Sequence, residues 1–122
     1  MSGTARRTDG LMATFKAADI VKVPFPYTDR DVRQRRPALV VSGASVGGPD
    51  LYWVVMITSA EHRAWTGDII LGDRYREAGL PAPSLIRTSK IATVEASRME
   101  PLGKLPADLM ECVKVEITNF LK

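Results

Sequence analysis

The apolar residues of this chain change period once, at Pro106, and that change restricts the fold more than any other feature. Upstream, apolar runs of strand length are separated by glycine, proline and charged residues. Downstream, Leu109, Cys112, Val113, Ile117, Phe120 and Leu121 recur on one helical face, with Asp108, Glu111, Lys114 and Asn119 largely opposite. Pro106 suits the first turn of a helix, where its missing N–H is not needed. The expected order is five or six short strands and then one helix. That order predicts a mainly-β fold, a small twisted barrel or rolled sheet closed by a C-terminal α-helix. Cys112, on the apolar stripe, is expected to be structural rather than reactive.

Taken in order, residues 1–12 are polar and unpatterned, so an extension over 1–14 is expected to be disordered, with one domain over 15–122. Residues 19–25 alternate as a half-buried first strand that Pro24 and Pro26 end. The loop over 27–35 holds three arginines and two aspartates. It leads into Arg36-Pro37-Ala38-Leu39-Val40-Val41-Ser42, a second strand. Pro37 has no N–H to give and suits a strand start, so Arg36 is fixed at the rim of a sheet, where an anion can meet it. A charged loop that merely ends where a strand begins would look the same.

After a turn-forming loop over 43–50, residues 51–57 form a continuous apolar run with three β-branched and two aromatic residues, which favours a central strand over a helix. Thr58 and Ser59 stand where that strand surfaces. The loop over 60–67 carries His62, the only histidine, expected on the surface. Short strands are expected over 68–71, 84–94 and 98–105, the last turning at Gly103, with a helical turn within 72–80. Arg87 and Ser89 lie two apart and are expected to share a face. Trp53 and Leu80 are candidates for exposed apolar surface at a dimer contact.

Much chemistry is excluded by composition. One histidine and one cysteine cannot build a His/Cys zinc site. The glycines over 43–48 lack the lysine of a phosphate loop, and the acidic residues form no hard-metal cage. No metal or cofactor is therefore expected, and a histidine-activated nucleophile is open only to His62. No apolar run approaches the ~18 residues of a membrane span, and residues 1–10 lack the apolar stretch of a signal peptide. With a single cysteine, the chain reads as a soluble cytoplasmic protein. Its formal charge of +3 favours an anionic partner. Arg36, Thr58, Ser59, Arg87 and Ser89 remain. Guanidinium groups and hydroxyls suit a phosphodiester, and RNA brings its own nucleophile, the 2′-hydroxyl.

The runs Asp19-Ile20-Val21-Lys22-Val23-Pro24-Phe25-Pro26, Arg36 to Ser42, Ile57-Thr58-Ser59, and Ala78-Gly79-Leu80 through Ser84-Leu85-Ile86-Arg87 carry a resemblance in their order and spacing. From about Phe15 to the C-terminus the chain resembles the PemK/MazF-like family of type II toxin–antitoxin endoribonuclease toxins. The resemblance implies an SH3-like barrel of the CcdB/PemK kind, five to seven strands with a C-terminal helix, and a homodimer. It implies metal-independent cleavage of single-stranded RNA (mRNA) that inhibits translation and growth, and an antitoxin whose tail covers the RNA site.

Carried over by position, Arg36 matches the family's catalytic arginine, which would bind the scissile phosphate and protonate the leaving oxygen. Thr58 and Ser59 match a Thr-Ser pair at the end of the third strand, of which Thr58 would orient the phosphate or the 2′-hydroxyl, and Asp31 matches an acidic loop residue. Arg87 matches a second arginine that adds charge. Arg30, Arg33, Arg35, Ser89 and Lys90 would track the RNA backbone. In the PemK-like branch an aspartate follows two residues after the second arginine, and this chain has Ser89 there. That departure keeps open a non-enzymatic binding toxin on the same scaffold, either a decayed RNA binder or a CcdB-like gyrase poison. CcdB-like toxins act through a C-terminal Trp-Gly-Ile, whereas this chain ends Asn119-Phe120-Leu121-Lys122.

Overall fold

A computed structural model describes residues 14–24, 35–43, 45–46 and 50–122. Six strands form one antiparallel sheet: β1 (Asp19–Val23), β2 (Arg36–Val40), β3 (Leu51–Ser59), β4 (Ile69–Ile70), β5 (Ser84–Glu95) and β6 (Glu100–Lys104). Their order across the sheet is β4-β5-β3-β2-β1-β6. One helix, α1 (Ala107–Leu121), follows. The apolar run of β3 lies inside the sheet between β2 and β5, as its composition predicts.

Both faces of the sheet are apolar at its middle, and strand alternation sorts the side chains cleanly. Ile20, Leu39, Val55, Ile57 and Ile86 belong to a cluster that also holds Met110 and Val113 of α1, so this face is covered by the helix. Val21, Val23, Ala38, Val40, Tyr52, Val54 and Met56 belong to the opposite cluster. Among the described residues no α-helix covers them. The sheet curls around them into a half-barrel, with Phe15, Ala96 and Met99 closing over the cluster. Phe15 meets Tyr52 edge to face at 5.7 Å. The mainly-β fold with one C-terminal helix thus matches the sequence reading, and six strands fall within the expected five to seven.

Four local expectations are corrected. Cys112 is exposed, because the helix turns Met110 and Val113 to the sheet and Cys112 lies about a third of a turn away from that stripe. Leu80 is buried, its N–H donating to Tyr75 O while its side chain joins the cluster beneath α1. Gly103 is not a turn: it sits within β6, where a Cβ would stand 2.0 Å from Ala78 O, so its missing side chain lets the backbone of residues 78–79 pack against the strand.

The fourth correction concerns β5. Val55 pairs with Ile91 while the next residue, Met56, pairs with Arg87, so the register shifts and residues 88–90 are extra on β5. The bulge breaks the alternation that would have placed Arg87 and Ser89 together: Arg87 is buried and Ser89 is exposed.

Candidate functional site

Two rows of cross-strand neighbours build the site on the face away from α1. In the first, Val23 pairs with Arg36 and Thr58 pairs with Leu85. The β2–β3 ladder begins at Ala38 opposite Met56, one residue after Pro37, which has no N–H to extend it. Continuing that register by two residues sets Arg36 opposite Thr58. Arg36 shares the face of its partner Val23, and Thr58 that of Met56 two residues earlier. Both residues are half-buried at the rim. Among the described residues the Arg36 guanidinium has no ion-pair partner.

In the second row, Val21 pairs with Ala38, Ala38 with Met56, and Met56 with Arg87. Continuing the β4–β5 register by one residue sets Asp68 opposite Arg87. Here the guanidinium is held by the protein through Nε and Nη2. Arg87 Nη2 donates to Asp68 Oδ2 at 2.9 Å and to Arg63 O at 2.7 Å, and Nε lies 3.3 Å from both Asp68 oxygens. The two side chains are 8% and 1% exposed. Asp68 Oδ2 also accepts the Trp65 N–H at 2.7 Å, and Asp68 N–H donates back to Trp65 O. Gly67, at φ +90°, makes that turn possible, and its carbonyl accepts the Thr88 hydroxyl from the β5 bulge at 2.8 Å. The Trp65 ring lies over Arg87, 3.9 Å from Cζ to the ring centroid, and Lys90 Nζ is 5.4 Å from the same centroid.

The remaining sequence candidates are spread wider. Ser59 is exposed at the end of β3, where its hydroxyl accepts the Glu61 N–H at 3.2 Å. Arg35 reaches the far side of the sheet, with Nη1 3.6 Å from Glu100 and 3.4 Å from Arg98 O. Ser89 stands exposed in the bulge, and His62 is exposed in its loop. Asp31, Arg30 and Arg33 lie outside the described residues, as does Phe25.

Trp65 and Asp68 were not among the sequence candidates. Asp68 opens a short strand in the sequence and carries no motif; only the β4–β5 register, which sequence does not supply, brings it to Arg87. No group of three or more His, Cys, Asp or Glu among the described residues is placed to hold a metal ion.

Solved structures share this architecture. A MazE–MazF complex (Form-II) from Deinococcus radiodurans superposes with a TM-score of 0.69 at 23% identity, covering 89% of this chain and 96% of that one. MazF (Form-I) from the same organism gives 0.68 at 25% identity, covering 89% and 97%. An endoribonuclease in complex with its cognate antitoxin from Mycobacterial species gives 0.69 at 15% identity, covering 88% and 94%. Among curated protein sequences, none matches the chain. The family model for the PemK-like, MazF-like toxin of type II toxin–antitoxin systems matches residues 16–121, nearly the whole of the chain and all six strands and the helix. The chain belongs to that family.

Proposed function

We propose that this protein is a metal-independent endoribonuclease that cleaves single-stranded RNA, and that an antitoxin partner restrains it. The observation that supports the reading is the β2–β3 register, which, continued past Ala38 and Met56, sets Arg36 opposite Thr58 at a rim not covered by α1. A guanidinium with no ion-pair partner among the described residues, near a hydroxyl, can hold a phosphodiester by two oxygens and stabilise the charge that builds on phosphorus. The RNA 2′-hydroxyl attacks that phosphorus, the bond to the 5′-oxygen breaks, and a 2′,3′-cyclic phosphate and a 5′-hydroxyl end result. In this reading Arg36 is the donor to the departing oxygen, and Thr58 orients the phosphate. Asp31 is the loop acid that would serve proton transfer.

The solved relatives include an endoribonuclease and toxin–antitoxin complexes, which support the same activity and an antitoxin for this chain. A homodimer is part of the proposal. Trp53, 49% exposed on the sheet, leaves apolar surface for such contacts. Incubating the protein with end-labelled single-stranded RNA in EDTA tests the reading. Cleavage to cyclic-phosphate ends is expected, and intact RNA with retained binding would instead favour a non-enzymatic binder.

A further inference from the structure

Trp65 is a large aromatic residue left 45% exposed in a loop whose backbone is tightly fixed. A side chain that only covered the Arg87–Asp68 pair would gain by burying its whole ring. Instead the guanidinium takes one side of the indole at stacking distance, and close to half of the residue stays open to solvent. The support beneath it is rigid. Asp68 fixes Arg87 through Nε and Nη2 and fixes the Trp65 backbone through the same carboxylate. Arg87 faces the side of the sheet that carries Arg36 and Thr58, one row of neighbours away. Lys90 Nζ also lies over the ring, 5.4 Å from its centroid, so a base that stacks there displaces the end of this flexible side chain, whose charge then lies close to the nucleotide's phosphate.

We propose that Trp65 is a stacking platform for a nucleobase of the RNA, with Arg87 as its pedestal and Asp68 as the clamp that holds the pedestal. The proposal rests on the endoribonuclease reading and deepens it, since it assigns Arg87 to holding a base-binding residue rather than to the scissile phosphate. Stacking on an exposed aromatic tolerates every base, because each has a π-face. Trp65 therefore contributes affinity and register along the strand, and Arg36 with Thr58 contributes the chemistry.

The test uses full-length protein carrying Trp53→Phe, so that Trp65 is the only tryptophan. An uncleavable 2′-O-methyl RNA of mixed sequence, about ten nucleotides long to fill one such groove, should quench its fluorescence. An abasic strand of equal length should leave it bright. Trp65→Leu keeps an apolar group over Arg87 but removes the π-face, and should weaken binding roughly five- to hundredfold. Trp65→Phe should recover most of that loss. Quenching by the abasic strand, or equal binding by the Leu and Phe variants, overturns the platform. Cleavage of ordinary RNA by the wild-type protein, run alongside, separates the failures. A wild-type protein that neither binds nor cleaves RNA sinks both readings, whereas an active wild type with an unaffected Leu variant sinks only this one.

Discussion

Asp68 and Arg87 form the one ion pair among the described residues in which both side chains are buried, 2.9 Å apart at Oδ2 and Nη2. A buried guanidinium that loses its carboxylate keeps its charge and cannot regain water. Asp68→Ala is therefore expected to destabilise the fold by about 3–5 kcal/mol. Replacing both partners, Asp68→Leu with Arg87→Met, removes charge and desolvation cost together and should return most of that loss. Urea unfolding of the single and double variants checks this. A single variant within about 1 kcal/mol of wild type would mean that water reaches the pair.

Gly103 is a second point where the fold tolerates no change. An added Cβ meets the carbonyl of Ala78 at 2.0 Å, and the obstacle is backbone, which no rotamer change can move aside. Gly103→Ala should cost about 3 kcal/mol, the upper range for overpacking, by forcing β6 away from residues 78–79. The expected signature is a lowered unfolding midpoint with RNA affinity unchanged, since the site lies at the other end of β1 and β2. A midpoint equal to wild type would show that the 78–79 segment relaxes freely.

The segment before Gly79 is also tied to the helix from outside. Arg74 Nη1 reaches Asp108 Oδ2 at 2.6 Å in the first turn of α1, and its hydrogen bond holds the Asp108 carboxyl below the usual carboxylate range. A carboxyl whose folded value is lowered stabilises the fold above its unfolded value and loses that contribution as pH falls through the folded one. Asp108→Asn should thus unfold more easily than wild type at neutral pH, and the two proteins should converge in strong acid. Both groups are solvent-exposed, so the gap is expected to be small and to shrink with salt. A gap that widens on acidification would contradict this assignment.

The strands and the helix were legible because each reports itself locally: β-branched runs between turn residues for β3, a 3.6-residue stripe for α1. What stayed hidden depends on how elements meet. The helical stripe is wide enough to admit either Cys112 or Met110, and only the sheet's position chooses Met110. Leu80, beside Pro81, looks like surface until the segment folds under α1. The period of two that joined Arg87 to Ser89 assumes an unbroken ladder, and the bulge over 88–90 is set by the register with β3. For the same reason Arg36 and Thr58 could be singled out one by one, yet their opposition, and the whole of the Trp65–Arg87–Asp68 unit, are products of register.

Arg36→Ala should leave the fold intact, because the residue stands at a strand start and is half-buried at the rim. Loss of one preorganised charge is expected to slow RNA cleavage by about 10²–10³-fold. Thr58→Ala should cost less, since a neutral hydroxyl contributes less than a guanidinium to the charged transition state. Single-turnover cleavage with circular dichroism as the fold control measures both. Near-wild-type cleavage by Arg36→Ala removes the central residue of the proposed function.

Ser89→Asp asks whether the carboxylate that PemK-like relatives carry at this position is missing from the chemistry here. A positioned acid or base is usually worth about 10²–10⁴-fold, so a chain that lacked one would gain on receiving it. The geometry argues against a gain. Ser89 is exposed in the bulge while Arg87 is buried, with Nε and Nη2 already committed to Asp68 and Arg63 O, so a new carboxylate on the exposed residue lacks the free guanidinium fork that would position it. It would instead add negative charge near Lys90 and Trp65, where the strand is expected to run, and repel the phosphates. Ser89→Asp should therefore weaken RNA binding, most at low salt where screening is least, and slow cleavage under subsaturating conditions. Single-turnover rates at two salt concentrations decide the matter. A gain of about tenfold or more at both, in the range of an added general acid or base, would mean that proton transfer, and not phosphate binding by Arg36, limits this protein.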